Sequence, residues 1–153
     1  MARRLRPVGP DFLERAPVRL VFGRDIAASP DKVFQALAED VADMPRWFSA
    51  VASARAGHGG RHVRLHGGIR FEETVLVTEK PEVYTYRVDA TNTPGARARV
   101  EECRPAPAGS GTRLCTTFAL DGTAAFRLGC RPAAPGVDIA FGRAVAALDR
   151  YLA

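Results

Sequence analysis

The sequence predicts an α+β domain: a seven-stranded, curved antiparallel sheet wrapped around one long C-terminal helix, with two short helices after the first strand. Three observations predict it. Residues 50 to 120 keep a period of two in their apolar positions. The links between these runs are short and carry Gly, Pro and Asn, which demands antiparallel neighbours. The closing stretch PGVDIAFGRAVAALDRYLA changes to helical spacing, with Val137, Phe141, Ala144, Val145, Leu148 and Leu152 on one stripe.

The elements follow in order. Residues 1–15, with the basic run ARRLR and breaks at Pro7 and Pro10, read as a mobile basic arm, leaving 16–153 as a single domain. PVRLVFGRDIAA alternates as a half-buried first strand. At ASPDKVFQALAED the period changes: Ser29 is an N-cap, Pro30 takes the first helical position, and Asp31 suits the first turn. Val33, Phe34, Leu37 and Ala38 fall on one face of that helix, and a second helical turn over VADMPRWF is interrupted by Pro45. Six strands come next: VASARA, RHVRLH, IRFEETVLVTE, EVYTYRVDAT, ARARVEEC and TRLCTTFAL. TNTPG and PAPAGSGT read as turns. A curved sheet holding a single helix tends to leave a cavity between the two layers, where ligand sites favour forming.

Composition narrows the function classes. With 153 residues the chain can bury a proper core, and its 46% apolar and 25% charged content is ordinary for a globular protein. The net charge is +5, but the arginines are scattered singly after the first residues, so no specific nucleic-acid partner is expected. Cys103, Cys115 and Cys130 form no CxxC pair, and no run approaches a membrane span or a secretory leader. A cytoplasmic protein, monomer or homodimer, is the expectation.

All three histidines lie in GHGGRHVRLHGG, residues 57–68. On a helix His58, His62 and His66 would stack, but Gly57, Gly59, Gly60, Gly67 and Gly68 oppose a helix. On a strand His62 and His66 stand roughly 13 Å apart, at about 3.3 Å per residue, too far to share one ion. No metal and no cofactor is expected.

The segments DIAASPDKVFQALAEDVADMPRWFSAVASARA, RHVRLHGGIRFEETVLVTEKPEVYTYRV and GSGTRLCTTFAL together resemble the START-like helix-grip superfamily (SRPBCC), in particular its polyketide cyclase/dehydrase-type branch. The resemblance covers residues 17 to 153 and rests mostly on turn and core positions, which bear on fold more than on function. It implies a deep apolar pocket for a small hydrophobic, aromatic or polyketide-like ligand. Some relatives promote cofactor-free aldol cyclisation and dehydration with pocket arginine, tyrosine and acidic or histidine groups. Others carry lipids or hydrophobic ligands without catalysis, and a chaperone-activator branch serves as an interaction module.

Strand parity selects the site candidates. The inward series reads Ile69, Phe71, Val75 and Val77, then Tyr84, Tyr86 and Val88, then Ala98 and Val100, then Leu114, Thr116, Phe118 and Leu120. Glu73 falls within the first series, as a buried general acid/base or as one half of a salt bridge to a nearby arginine. Tyr84 and Tyr86 either orient a ligand carbonyl or pack the wall. Trp47 and Phe48 either form the pocket lip or anchor the helices, and Phe71, Phe118 and Phe141 supply aromatic lining. With Val63 and Leu65 inward, His62, Arg64 and His66 face solvent. A bulge beside the glycines would turn Arg64 inward as an oxyanion stabiliser and His66 as a base. Arg64, Glu73 and Tyr86 are thus the catalytic candidates, and Trp47, Phe48, His66, Phe71, Tyr84, Phe118 and Phe141 the ligand-binding ones.

Overall fold

The change of period after the first strand falls where Ser29 and Pro30 place it. In the computed structural model, which describes all 153 residues, strand β2 (Val18–Ile26) ends and helix α2 (Pro30–Phe34) begins. The Ser29 side chain accepts a hydrogen bond from the Lys32 amide, and Pro30 occupies the first turn, where its missing N–H costs nothing. The helix then widens into a π turn over Gln35–Glu39, closed by the Asp40 amide on the Gln35 carbonyl, and continues as a 3-10 turn over Val41–Arg46. Val33, Phe34 and Ala36 are buried, while Leu37 and Ala38 are half-buried against the core. The single expected face is rotated by the wide turn.

The strands that follow are β3 (Val51–Gly57), β4 (Gly60–Leu65), β5 (Arg70–Glu79), β6 (Val83–Thr91), β7 (Ala96–Ala108) and β8 (Gly111–Gly122). They pair antiparallel in the order β2-β8-β7-β6-β5-β4-β3. The long helix α3 (Ala124–Leu152) closes the chain, capped by the Thr123 hydroxyl on the Phe126 amide. It lies across the inner face, where Ala144, Val145 and Leu148 join the main core with Val33, Phe34, Trp47 and Tyr84.

Two expectations are corrected. The composition of 105–112 predicts a turn, but β7 runs through Pro105 and Pro107 to Ala108, and the hairpin tip is only Gly109 and Ser110. β6 pairs with β7 only as far as Cys103, so the missing N–H groups of both prolines cost no ladder bond on that side. The second correction concerns residues 1–15, expected to be a mobile arm. They are docked. Strands β6 and β7 diverge beyond Arg87 and Val100, and β1 (Arg3–Arg4) pairs with Thr91 and Ala90 in the gap. The Leu5 amide donates to Asp89 O and the Arg6 amide to Arg97 O, each at 2.8 Å, so the segment bridges both strands and becomes an eighth strand of the sheet. Helix α1 (Phe12–Arg15) then lays Phe12 and Leu13 on the outer face, forming a small second core with Ala98, Val100 and Ala119.

Candidate functional site: a cavity between sheet and helix

The π turn after α2 is the first element of the site. Widening the turn to i→i+5 frees carbonyls from the usual ladder, and the Leu37 carbonyl receives Arg61 Nη1 at 3.3 Å. Gly60, just before Arg61, lies so close to β5 that a Cβ would come 1.8 Å from the Glu73 carbonyl oxygen. Only glycine allows that approach, and it sets Arg61 opposite Glu73 in the β4–β5 register.

The cavity encloses about 270 Å³ between the sheet and α3. Its walls are largely apolar, with Leu37, Val63, Phe71, Leu114, Phe141 and Leu148 among them. Its floor is polar. Arg61 donates through Nε to Glu73 Oε2, and these side chains are only 7% and 4% exposed. The Arg61 guanidinium also lies 4.2 Å from the Tyr86 ring centre and 5.6 Å from that of Tyr84. Further along the floor, Arg99 Nη2 donates to Glu101 Oε1 at 2.8 Å, while the guanidinium lies 4.8 Å from the Phe71 ring and 5.9 Å from that of Phe118. Two buried donors have no partner: Trp47 Nε1 and Arg99 Nε. In a protein interior such groups ask for an acceptor.

Burial governs the titration of this floor. It pushes the Glu73 carboxyl above the usual carboxylate range, against the pull of Arg61 and with the help of Glu101. Burial likewise raises Tyr84, and raises Tyr86 further with Glu101 adding to the effect. The Cys103 thiol, buried and close to Glu101, is pushed up to about 12 and is no nucleophile near neutral pH.

Most of the sequence-predicted residues are brought together here. Glu73, Tyr84, Tyr86, Trp47, Phe48, Phe71, Phe118 and Phe141 all line the cavity. Trp47 and Phe48 stack at 5.9 Å with an interplanar angle of 13°. Arg64 and His66 are not among them. Val63 faces inward, Arg64 is exposed on the opposite face of β4, and His66 is exposed beyond its end. The bulge that would have reversed them is absent from the β4–β5 pairing, where the register runs unbroken from Gly60 to Arg64. The cavity arginine of this strand is Arg61, which the same alternation places inward with Val63.

Arg99, Glu101 and Cys103 were also missed. The expected inward residues of β7, Ala98 and Val100, point instead to the outer face. The docked segment with Phe12 and Leu13 buries Ala98 and Val100 on that face, which leaves Arg99, Glu101 and Cys103 on the inner one.

An antiparallel sheet gripping one long helix around a mostly apolar cavity defines a helix-grip protein. The chain belongs to the family described as polyketide cyclase/dehydrase and lipid transport, whose model matches residues 17–153. None of the curated proteins matches it. Solved structures share the fold at low identity. XoxI from Bacillus cereus is 17% identical, with a TM-score of 0.71 over 88% of this chain and 95% of that one. Ara h 8.0201 is 12% identical, with a TM-score of 0.64 over 88% and 97% of the two chains. CalU16 from Micromonospora echinospora is 18% identical, with a TM-score of 0.60 over 88% and 76%. No helix is long and apolar enough to cross a membrane.

Proposed function

We propose that the protein binds a small, hydrophobic, ring-containing molecule in the cavity between sheet and α3. The observation that carries this reading is an apolar chamber of about 270 Å³ with the Arg99 guanidinium in its lining. An apolar cavity of about 150 Å³ takes one benzene, so this one suits roughly two fused rings. The ligand's apolar faces would meet Phe71, Phe141 and Leu148, and an acceptor on its edge would meet the Arg99 guanidinium.

Trp47 is the single tryptophan of the chain and lines the cavity, so it reports on occupancy directly. Titration with chromone, a neutral two-ring ketone, is expected to quench Trp47 saturably at one-to-one stoichiometry and to raise the melting temperature. Ala144→Phe, which fills the chamber, should abolish both effects. Absence of quenching and of thermal stabilisation in the wild type would refute the reading and favour the interaction-module alternative.

A second reading is cofactor-free proton transfer on a bound ketone, of the kind that aldol cyclisation and dehydration need. One observation favours it: the Glu73 carboxyl is held above its usual range on the same floor as Tyr86. In this reading Glu73 moves the proton, while Arg61 and Tyr86 steady the enolate oxygen. The measurement is deuterium exchange at the α-carbon of 2-tetralone followed by NMR. Exchange above the buffer rate that disappears in Glu73→Gln would support catalysis. Exchange at the buffer rate would leave a non-catalytic carrier.

A further inference from the structure

Helix α3 does not press evenly on the sheet. Its buried residues, Ala144, Val145 and Leu148, all lie toward its C-terminal end, whereas Pro132 and Pro135 interrupt the preceding stretch. Beneath that stretch lies a second cavity of about 210 Å³. Leu20, Leu120, Phe126, Cys130 and Ala133 line it and do not touch the first cavity. The two chambers share Phe71, Arg99, Phe118 and Val137. Arg99 therefore stands at the junction, its guanidinium held beside the Phe71 and Phe118 rings and engaged by Glu101 only through Nη2.

We propose that the second cavity is the tail compartment of a two-part ligand site. The occupant is an uncharged aryl ketone or ester: its ring system fills the main cavity, its carbonyl accepts from the Nη1 edge of Arg99, and an unbranched apolar chain runs under the first half of α3. The inference rests on the binding function proposed above and names the ligand class for it.

Three features argue for this occupant. Arg61 and Arg99 each already have a carboxylate partner, so an anionic head would bring uncompensated charge beside Glu73 and Glu101. A neutral carbonyl accepts from the Nη1 edge, since Glu101 engages only Nη2, without adding charge. The second cavity exceeds the roughly 150 Å³ that takes a six-carbon ring, so a chain of about six carbons fits. Its walls offer few polar groups, chiefly Thr91, Thr93 and Arg99 itself.

The test uses the full chain and three probes built on 6-dimethylamino-naphthalene: the 2-acetyl ketone, the 2-hexanoyl ketone and the 2-carboxylate. Each buried methylene is worth about fourfold in affinity. The hexanoyl probe, with four more, should bind at least about tenfold tighter than the acetyl probe, and the carboxylate at least about tenfold weaker than the acetyl probe. Ala133→Phe should remove the hexanoyl advantage and leave acetyl binding unchanged.

Cys130 supplies a measurement independent of any substitution. Its carbamidomethylation by iodoacetamide, quantified by peptide mass spectrometry, should be slowed by saturating hexanoyl probe and not by the acetyl probe. Equal affinity of the two ketones with Cys130 unprotected would overturn the tail compartment and leave the main cavity standing. A hexanoyl advantage that survives Ala133→Phe, or a carboxylate that binds as tightly as the acetyl ketone, would overturn the ligand class. Binding of neither ketone would overturn the tail compartment together with the reading beneath it.

Discussion

At one end of the cavity Arg61 directs Nε to Glu73 and Nη1 to the Leu37 carbonyl, and lies against the Tyr86 ring. At the other end Arg99 directs Nη2 to Glu101 and leaves Nε without an acceptor. The chemistry is the same, but the surroundings differ. Arg61 lies where the π turn closes the chamber and is 7% exposed, while Arg99 opens onto both chambers and is 25% exposed. One pair is braced from two sides at the closed end, and the other keeps a buried donor without an acceptor.

The largest expected effect lies at the closed end. Arg61→Met strands Glu73 in the interior and should cost about 3–5 kcal/mol in urea unfolding, and adding Glu73→Leu should restore most of it. If the double variant is no more stable than the single one, the pair is not the closed unit described here. Leu148→Ala, in the helix half above that end, should cost about 2–5 kcal/mol. Leu128→Ala, in the other half and 77% exposed, should stay within about 0.5 kcal/mol. Similar costs for the two leucines would erase the difference between the halves of α3.

Arg99→Met should cost less than Arg61→Met, about 1–3 kcal/mol, because Arg99 is the more exposed arginine and makes one side-chain hydrogen bond where Arg61 makes two. A loss equal to that of Arg61→Met would show the open end to be as closed as the other. The pH dependence sharpens the contrast further. Because burial raises the Glu73 carboxyl, the folded state keeps its proton to higher pH than the unfolded chain does. The stabilisation is present below the ordinary carboxylate pKa and is lost as pH rises through the raised value, by about 1.4 kcal/mol per unit between the two. The stability difference between wild type and Glu73→Gln, measured from pH 4 to 8, should therefore decline with pH. A flat difference would mean that Arg61 cancels the effect of burial. A small effect also belongs to the surface pair Arg24–Asp138, which ties α3 to β2 with both side chains well exposed. Asp138→Ala should cost under about 1 kcal/mol and nothing measurable in high salt.

The fold was legible because each of its signals is local. Ser29 and Pro30 mark a helix start by capping chemistry, and the alternation from Val51 to Leu120 marks strands by period. The site was half legible. Parity placed Glu73, Tyr84, Tyr86, Phe71 and Phe118 correctly, since they share a face with plainly apolar neighbours. Arg61 was as legible as Val63, one step along the same alternation, but its charge drew attention to the exposed Arg64 instead. Arg99 and Glu101 were hidden for another reason. Parity shows which residues share a face and not which face is inside. On β7 the answer depends on Phe12 and Leu13, which pack there from some eighty residues away in sequence.

The unpaired side of β7 beyond Cys103 has a consequence for crowding. A bare strand edge invites the edge of another molecule, and repeated pairing of that kind is how soluble sheets grow into aggregates. Pro105 and Pro107 take two amide donors out of that edge and fix a backbone angle that a joining strand would have to match. Arg104, exposed and held by Glu102 at 2.7 Å, sets a charge beside them. The segment that completes the β7–β8 hairpin inside the molecule is therefore a poor template for anything outside it. Replacing Pro107, the exposed one of the two, with valine should shorten the time the protein stays dispersed at high concentration, read by light scattering.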